Sequence, residues 1–372
     1  MRGTAMKINF CILLAAVILL SGCTTPVADA VKIDGENNYT LTVIGDTHFD
    51  GPEYHISEPQ SENGKKERRR NLIQWQGKSQ KLLAAAAAQS SKDVPFIIQL
   101  GDLTQGDCDT PELHAAMFKG AFDVFHKIFP GKKIFTLRGN HDGRWKGIST
   151  DAVDKYMVPL IKKELASDVD MDGTNYAVRY GKDLYIFYDY TKDSSGNFAI
   201  TTLKRNADAR HIFFLTHLPI FPCSTGNPGW IVPHFKELIP LLAKHKAVVL
   251  CAHTHFWGEI IYQCSKGTLP QFIVTSMGFT WKPEEKVLNK RHNSFAEWRQ
   301  KIRPRYTTDP YYKWSLENAD CFKNSDFSLF QTYMAAPSGF VNLEVTDAKV
   351  IAHIFTGTTG KPIKSFVLKE NK

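Results

Sequence analysis

At 372 residues, 43% of them hydrophobic and 23% charged, the chain can bury a sizeable core and is too apolar to be a disordered tail. One large domain or two modest ones fit that length. The formal net charge of +8 raises the question of an acidic partner, but Lys and Arg are spread along the chain and only "KKERRR", Lys65 to Arg70, forms a basic cluster. That cluster reads as a solvated loop. Nothing specific to RNA or DNA accompanies it, so no specific nucleic acid is expected as a partner.

In chain order, Arg2 and Lys7 precede an apolar run from Ile8 to Leu20 that is short for a membrane span and reads as a secretory signal over residues 1–22. The run closes with Leu20-Ser21-Gly22-Cys23, which resembles the lipobox of bacterial lipoproteins. The resemblance implies a lipidated Cys23 as the first mature residue, and a protein lipid-anchored to a membrane of the bacterial cell envelope, periplasmic or surface-exposed. An ordinary signal peptide or a single anchor helix is the alternative. Residues 23–38 then read as a tether, small and polar from Thr24 to Asn38, and residues 39–372 as the folded domain. Past Cys23 five cysteines remain, Cys108, Cys223, Cys251, Cys264 and Cys321, with no tight CxxC pair. One or two disulfides could form in an oxidising compartment, but the spacing does not fix their pairing.

The domain opens on a strand pattern, Tyr39 to Gly45, and then alternates apolar runs with helical periodicity. Apolar spacings of three and four predict helices at about Asn71 to Ser90, Thr110 to Phe129, Thr150 to Ala166 and Trp230 to His245; Ala84 to Ala88 is ordinary helix. Strands are predicted at Pro95 to Leu100, Lys133 to Leu137, Tyr176 to Tyr180, Asp183 to Tyr188, His211 to Leu215, Ala247 to Cys251, Gly258 to Tyr262 and Gln271 to Thr275, with Gly339 to Val345 and Lys349 to Phe355 closing the chain. The stretch Lys282 to Pro337, richer in charge and Tyr, reads as an insertion over one edge with a helical piece near Asn293 to Ile302. There is no internal repeat. An order that is α/β early and strand-rich late fits two packed sheets with helices outside them better than one doubly wound sheet.

The chemistry sits at the ends of the strands. Val43-Ile44 leads into Gly45-Asp46-Thr47-His48, Ile98-Gln99-Leu100 into Gly101-Asp102, and Phe135-Thr136-Leu137 into Gly139-Asn140-His141-Asp142. Later, Phe213-Phe214-Leu215 leads into Thr216-His217, and Val248-Val249-Leu250 into Cys251-Ala252-His253-Thr254-His255. Carboxylate, imidazole and amide groups at five neighbouring strand ends would cluster at the C-terminal rim, where α/β sheets place ligands. Asp and His together suit transition ions, and a carboxylate can bridge two ions about 3.5 to 4 Å apart. Gly45, Gly101 and Gly139 permit the sharp exits that expose the next side chain.

Each match alone is weak, but D-x-H, GD, GNHD, a lone His after an apolar strand and H-x-H, in that order from Asp46 to His255, resemble the calcineurin-like metallophosphoesterase superfamily. The resemblance implies a four-layer α/β metallophosphoesterase fold, two packed mixed β-sheets flanked by helices. It implies two divalent or trivalent transition-metal ions (Mn, Fe or Zn), one held by Asp46, His48 and His255, the other by Asn140, His217 and His253, with Asp102 bridging. His141 would stand off the metals as proton donor to the leaving oxygen or stabiliser of phosphoryl charge, and Asp142 would orient the His141 imidazole. Such a pair of ions lowers the pKa of water, so hydroxide is available at neutral pH to attack phosphorus. The neutral amide of Asn140 leaves the site more positive than a third carboxylate would, which favours an anionic phosphate. Two positions depart from family patterns. Ala252 stands where Gly usually precedes H-x-H, which a negative φ would accommodate, and Gln105 stands where purple acid phosphatases carry a Tyr ligand, which argues against a ferric-tyrosinate centre.

The expected protein is a hydrolase of phosphodiesters or phosphomonoesters in the envelope, acting on a small molecule, lipid or glycan. The alternative is a non-catalytic binder of phosphorylated glycans or lipids on the same scaffold, favoured by the anchor and the aromatic-rich insertion. Ser224 and Thr225 in "PCSTGNPGW", and Tyr54, Arg144, Trp230 and Trp281, could touch substrate, with packing or solvent as the competing reading. His55, His114, His126, His211, His234, His245, His292 and His353 take structural readings, and neither a Walker loop nor a nucleophilic Ser elbow is present.

Overall fold

The alternation of β-branched and aromatic residues becomes strands whose two faces are both covered. The computed structural model describes residues 29–59, 61–90, 93–145, 148–149, 151–221, 235–278, 290–292, 327–335, 337–357 and 359–371. The signal segment, Cys23, Cys223, Ser224, Thr225, Trp230, His234, Trp281, Cys321 and the helical piece near Asn293 to Ile302 lie outside these.

The early strands are β1 (Val31–Ile33), β2 (Tyr39–Ile44), β3 (Phe96–Gln99) and β4 (Lys133–Thr136), followed by a short pair, β5 (Arg144–Trp145) and β6 (Ile148–Ser149). The middle of the chain supplies β7 (Tyr176–Tyr180), β8 (Asp183–Tyr188), β9 (Ile212–Thr216), β10 (Val248–Cys251), β11 (Trp257–Cys264) and β12 (Gly267–Ile273). The last are β13 (Lys290–His292), β14 (Phe327–Ala335), β15 (Phe340–Val345), β16 (Lys349–Phe355) and β17 (Lys364–Glu370). Helices are α1 (Glu62–Gln74), α2 (Gln80–Gln89), α3 (Pro111–Ile128), α4 (Val158–Leu165), α5 (Ser195–Arg205) and α6 (Phe235–Lys244).

Two mixed sheets result. One has nine strands in the order β1-β7-β8-β9-β10-β12-β11-β14-β13, the other six in the order β17-β16-β15-β2-β3-β4. Period-two alternation sends Tyr185, Phe187, Phe213, Leu215 and Leu250 into a core shared with Leu41, Val43, Ile98 and Phe135 of the six-stranded sheet. The other face of the nine-stranded sheet, with Leu184, Ile186, Phe214 and Val249, packs under Phe198 and Leu203 of α5 and Leu238 and Leu242 of α6. This is the layered α/β arrangement expected: two mixed sheets flanked by helices.

Local rules explain most boundaries. Thr110 caps α3, its hydroxyl accepting from the Leu113 N–H at 3.2 Å, with Pro111 in the first turn. The helix then buries His114, Met117, Phe118, Ala121, Phe122 and Phe125 along one stripe.

Four expectations change. Lys65 to Arg70 is helix α1 rather than a loop, because Ser61 caps it (3.0 Å to the Gly64 N–H) and Lys, Glu and Arg are good helix formers; most of it is solvated. The tether does not extend over Val31–Ile33, which pair in parallel with Val178–Tyr180 of β7 as an edge strand. Helix α5 and strand β17 add elements that the sequence patterns did not predict. Within the supposed insertion, the described pieces β13 and β14 pair antiparallel at the edge of the nine-stranded sheet. Among the described residues no helix is long and apolar enough to cross a membrane, and Cys108 and Cys264 are free thiols.

Candidate metal centre

Strands β2, β3 and β4 run parallel in one sheet, and β8, β9 and β10 run parallel in the other. Their C-terminal ends meet at one rim, where the exits carrying Asp46, Asp102, Asn140, His217 and His253 face each other. Gln99, fully buried in β3, stitches three of these exits together: its amide N–H donates to the carbonyls of Gly101 (2.7 Å) and Gly45 (3.3 Å), and its oxygen accepts from the Thr136 hydroxyl (2.5 Å). The sequence reading passed over Gln99, although a Gln inside an otherwise apolar strand is the signal that finds it.

The backbone at the rim is strained. His48, Asp102, His253 and His255 have φ of 48°, 49°, 69° and 56°, a left-handed conformation that side-chain-bearing residues avoid and that functional sites hold in place by surrounding contacts. Gly101 precedes Asp102 with φ of 87°, and a Cβ there would lie 2.7 Å from His217 Nδ1. Gly139 approaches so closely that a Cβ would lie 2.0 Å from the Asp102 nitrogen. Ala252 is not among the positive-φ residues, so its methyl group is accommodated as expected.

Seven side chains converge. Asp46, His48, Asp102 and His255 form one group of potential metal-holding atoms, and Asp102, His217 and His253 form another, so Asp102 belongs to both. Asp102 Oδ2 lies 3.3 Å from His217 Nε2 and 3.9 Å from His48 Nε2, and Asp46 Oδ1 lies 3.4 Å from His255 Nε2. Asn140 Oδ1 is 3.1 Å from His217 Nε2. The His217 Nδ1–H donates to the Leu100 carbonyl at 2.9 Å, which fixes the ring and turns Nε2 inward.

The electrostatics fit a cation centre. Asp46 Oδ1 is buried and has no hydrogen-bond partner among the described residues, an unfavourable state for a carboxylate unless positive charge faces it. Burial opposes charging His217, yet the Asp102 and Asp46 carboxylates raise it to about 9. Burial holds His48 and His253 well below the usual imidazole value, so they are neutral donors. Two carboxylates, four imidazoles and an amide oxygen suit borderline transition ions.

His141 stands beside this cluster, its ring edge-on to His48 with centroids 4.6 Å apart. Its Nδ1–H donates to the Gln105 carbonyl at 3.1 Å, leaving Nε2 toward the partly open side. Asp142 does not orient it. One Asp142 oxygen accepts from the Thr104 N–H (2.8 Å) and hydroxyl (3.1 Å), the other from the Gly139 N–H (2.8 Å), so Asp142 fastens the GD loop to the GNHD loop. A fully buried carboxylate in a tight loop binds the nearest unpaired amides, and burial followed by the Asp102 charge pushes it up to about 6.

Tyr54 packs in the core against Phe49, with rings 5.7 Å apart. Arg144 lies at the site and bonds Glu67 and Asp107. His55, His126, His211 and His353 each bond within the fold, to Asp50, Glu164, the Thr346 carbonyl and Glu344.

Once this geometry is seen, comparison with known proteins agrees with it. Residues 39–256 match the calcineurin-like phosphoesterases, and the chain belongs to that family. It is a metallophosphoesterase, a metal-dependent hydrolase of phosphoric esters. The fold is similar to that of GAP50 of Plasmodium, described as the anchor in the inner membrane complex, with a TM-score of 0.51 and 14% identity over 91% of this chain and 90% of that one. It is also similar to PhoD, with a TM-score of 0.51 and 12% identity over 90% of this chain and 70% of that one. No curated protein matches the sequence significantly.

Proposed function

We propose that the protein cleaves phosphodiesters or phosphomonoesters at a two-ion centre in which Asp46, His48 and His255 hold one ion, Asn140, His217 and His253 hold the other, and Asp102 bridges them. The observation that carries this reading is the sharing of Asp102 between two groups of converging donors. When bound, Mn, Fe or Zn ions would supply positive charge for the phosphoryl oxygens and a water of lowered pKa. The chain's own part is to hold the donors on strained, cross-tied loops, so that little reorganisation is needed on binding. His141, with its Nδ1–H engaged by the Gln105 carbonyl, turns Nε2 toward the open side, where the ring gives a proton to the leaving oxygen once Nε2 has taken one up.

The setting proposed is the bacterial envelope, with lipid attached at Cys23 and a lipid or glycan phosphate as substrate. Ile8 to Leu20 and Leu20-Ser21-Gly22-Cys23 support this. So does the direction of β1: it is parallel to β7, which is antiparallel to β8, so Asp29 lies toward the rim that carries His217 and His253. A tether leaving there would keep the site near a membrane surface.

The test is turnover of bis-p-nitrophenyl and mono-p-nitrophenyl phosphate by chelated protein before and after Mn is returned. Restored hydrolysis is expected; metal-loaded protein inert toward both refutes the reading. Loss of membrane retention in Cys23→Ser checks the anchor.

A further inference from the structure

Helix α1 brings one acidic side chain to the mouth of the site. Glu67 Oε1 is the point on which two donors from different positions converge, Arg144 Nη2 at 3.1 Å and Gln105 Nε2 at 3.5 Å, with the His141 ring nitrogen Nε2 4.0 Å away. These donors are fixed. Arg144 Nε donates to Asp107 Oδ2 at 2.6 Å, and the Arg144 carbonyl accepts from the Asp107 N–H at 2.7 Å. Gln105 is 3% exposed, and its carbonyl holds His141 Nδ1. The occupant is not fixed in that way: the Glu67 side chain is 31% exposed and reaches in from a mostly solvated stretch of helix.

Two N–H donors aimed at one oxygen, one of them a guanidinium pinned from behind, beside a His141 ring that stands edge-on to His48, describe a pocket for an anion rather than a plain ion pair. We propose that Arg144 and Gln105, beside His141, form an anion subsite for a non-reacting oxygen, or a second anionic group, of the phosphate ester, and that Glu67 fills it in the ligand-free protein. The proposal rests on the phosphoesterase reading only for the identity of the anion. While Glu67 is in place, the local charges are one guanidinium against two carboxylates, which repels an incoming anion. With Glu67 turned out to water, Arg144 and Asp107 balance, and the two donors are open. Glu67 is thus a built-in competitor that sets the affinity of the site for its ligand.

The experiment measures binding of inorganic phosphate to the full-length, Mn-loaded protein by calorimetry, alongside KM and kcat for bis-p-nitrophenyl phosphate. Glu67→Ala should tighten phosphate about fivefold, the scale of a half-exposed ion pair, with a matching fall in KM. Glu67→Gln, which keeps the side-chain shape, should give a smaller change in the same direction. Arg144→Ala should weaken phosphate about tenfold or more, and in the double variant the gain from Glu67→Ala should vanish, which separates this subsite from phosphate held by the ions alone. Unchanged or weaker phosphate affinity in both Glu67 variants overturns the proposal, as does a gain that survives without Arg144. If phosphate tightens while neither nitrophenyl ester is hydrolysed, the subsite stands and the hydrolase reading falls; if hydrolysis is robust and affinity does not rise, only the subsite falls.

Discussion

Asp142 accepts a 2.8 Å hydrogen bond from the Gly139 N–H and, through its other oxygen, one from Thr104, so a carboxylate one residue from His141 serves the backbone instead of the imidazole. Asp142→Asn turns one acceptor oxygen into a donor facing an N–H. A loss of about 1 to 3 kcal/mol is expected from the orphaned amide, read as a lower midpoint in urea unfolding, together with reduced metal content. Were Asp142 instead the orienter of His141, the variant would keep its stability and alter the pH profile of turnover.

Removing shared and unshared donors should have different consequences for metal stoichiometry. Asp102 lies in both donor groups, whereas His48 lies in only one. Elemental analysis of Asp102→Ala should show both ions largely lost, and of His48→Ala one ion retained, with turnover reduced at least about 100-fold in each. Equal stoichiometry in the two variants contradicts the bridging arrangement.

The loops that carry the clustered donors could be read from the sequence because each follows an apolar run whose period places it in a strand, and Asp46, His48, Asp102, Asn140, His217, His253 and His255 do converge. What could not be read is what depends on side-chain reach between distant segments. Glu67 looked like part of a charged surface stretch, and only the three-dimensional placement of α1 over Arg144 gives it a role. Likewise the resemblance pointed Asp142 at the His141 imidazole, and the loop geometry instead gives its oxygens to Gly139 and Thr104. Helix α5 has Ile200, Thr201 and Thr202 at its centre, β-branched residues that weaken helix propensity, and burial of Phe198 and Leu203 against β8 and β9 overrides it. Strand β17 buries only Leu368, so its alternation carries little signal.

Gly101 gives a backbone test. Its φ of 87° disfavours any side chain, and a Cβ would stand 2.7 Å from His217 Nδ1 and 2.9 Å from the Gly139 nitrogen. Gly101→Ala should therefore destabilise the fold by about 1 to 3 kcal/mol and displace His217 from the Leu100 carbonyl. Gly131, with φ of 73° but open space around it, is the control: Ala there carries the conformational cost without the clash and should leave metal binding intact.

Stability should also fall in acid through His114. This histidine is 2% exposed, stacks on Phe118 with ring centroids 5.0 Å apart, and hydrogen-bonds the backbone of Asp142, so it braces the GNHD loop from α3. Burial lowers it to about 4, against about 6.5 for an unfolded chain. Between those values the unfolded state binds the proton and the folded state does not, so stability is fully present above about pH 6.5 and is lost as pH falls toward 4. The contribution is on the order of 3 kcal/mol by linkage. Urea unfolding of the wild type and His114→Phe at pH 7.5 and pH 5 measures it: the variant should lose less stability on acidification than the wild type does. Parallel losses in the two proteins would show that other groups carry the acid sensitivity.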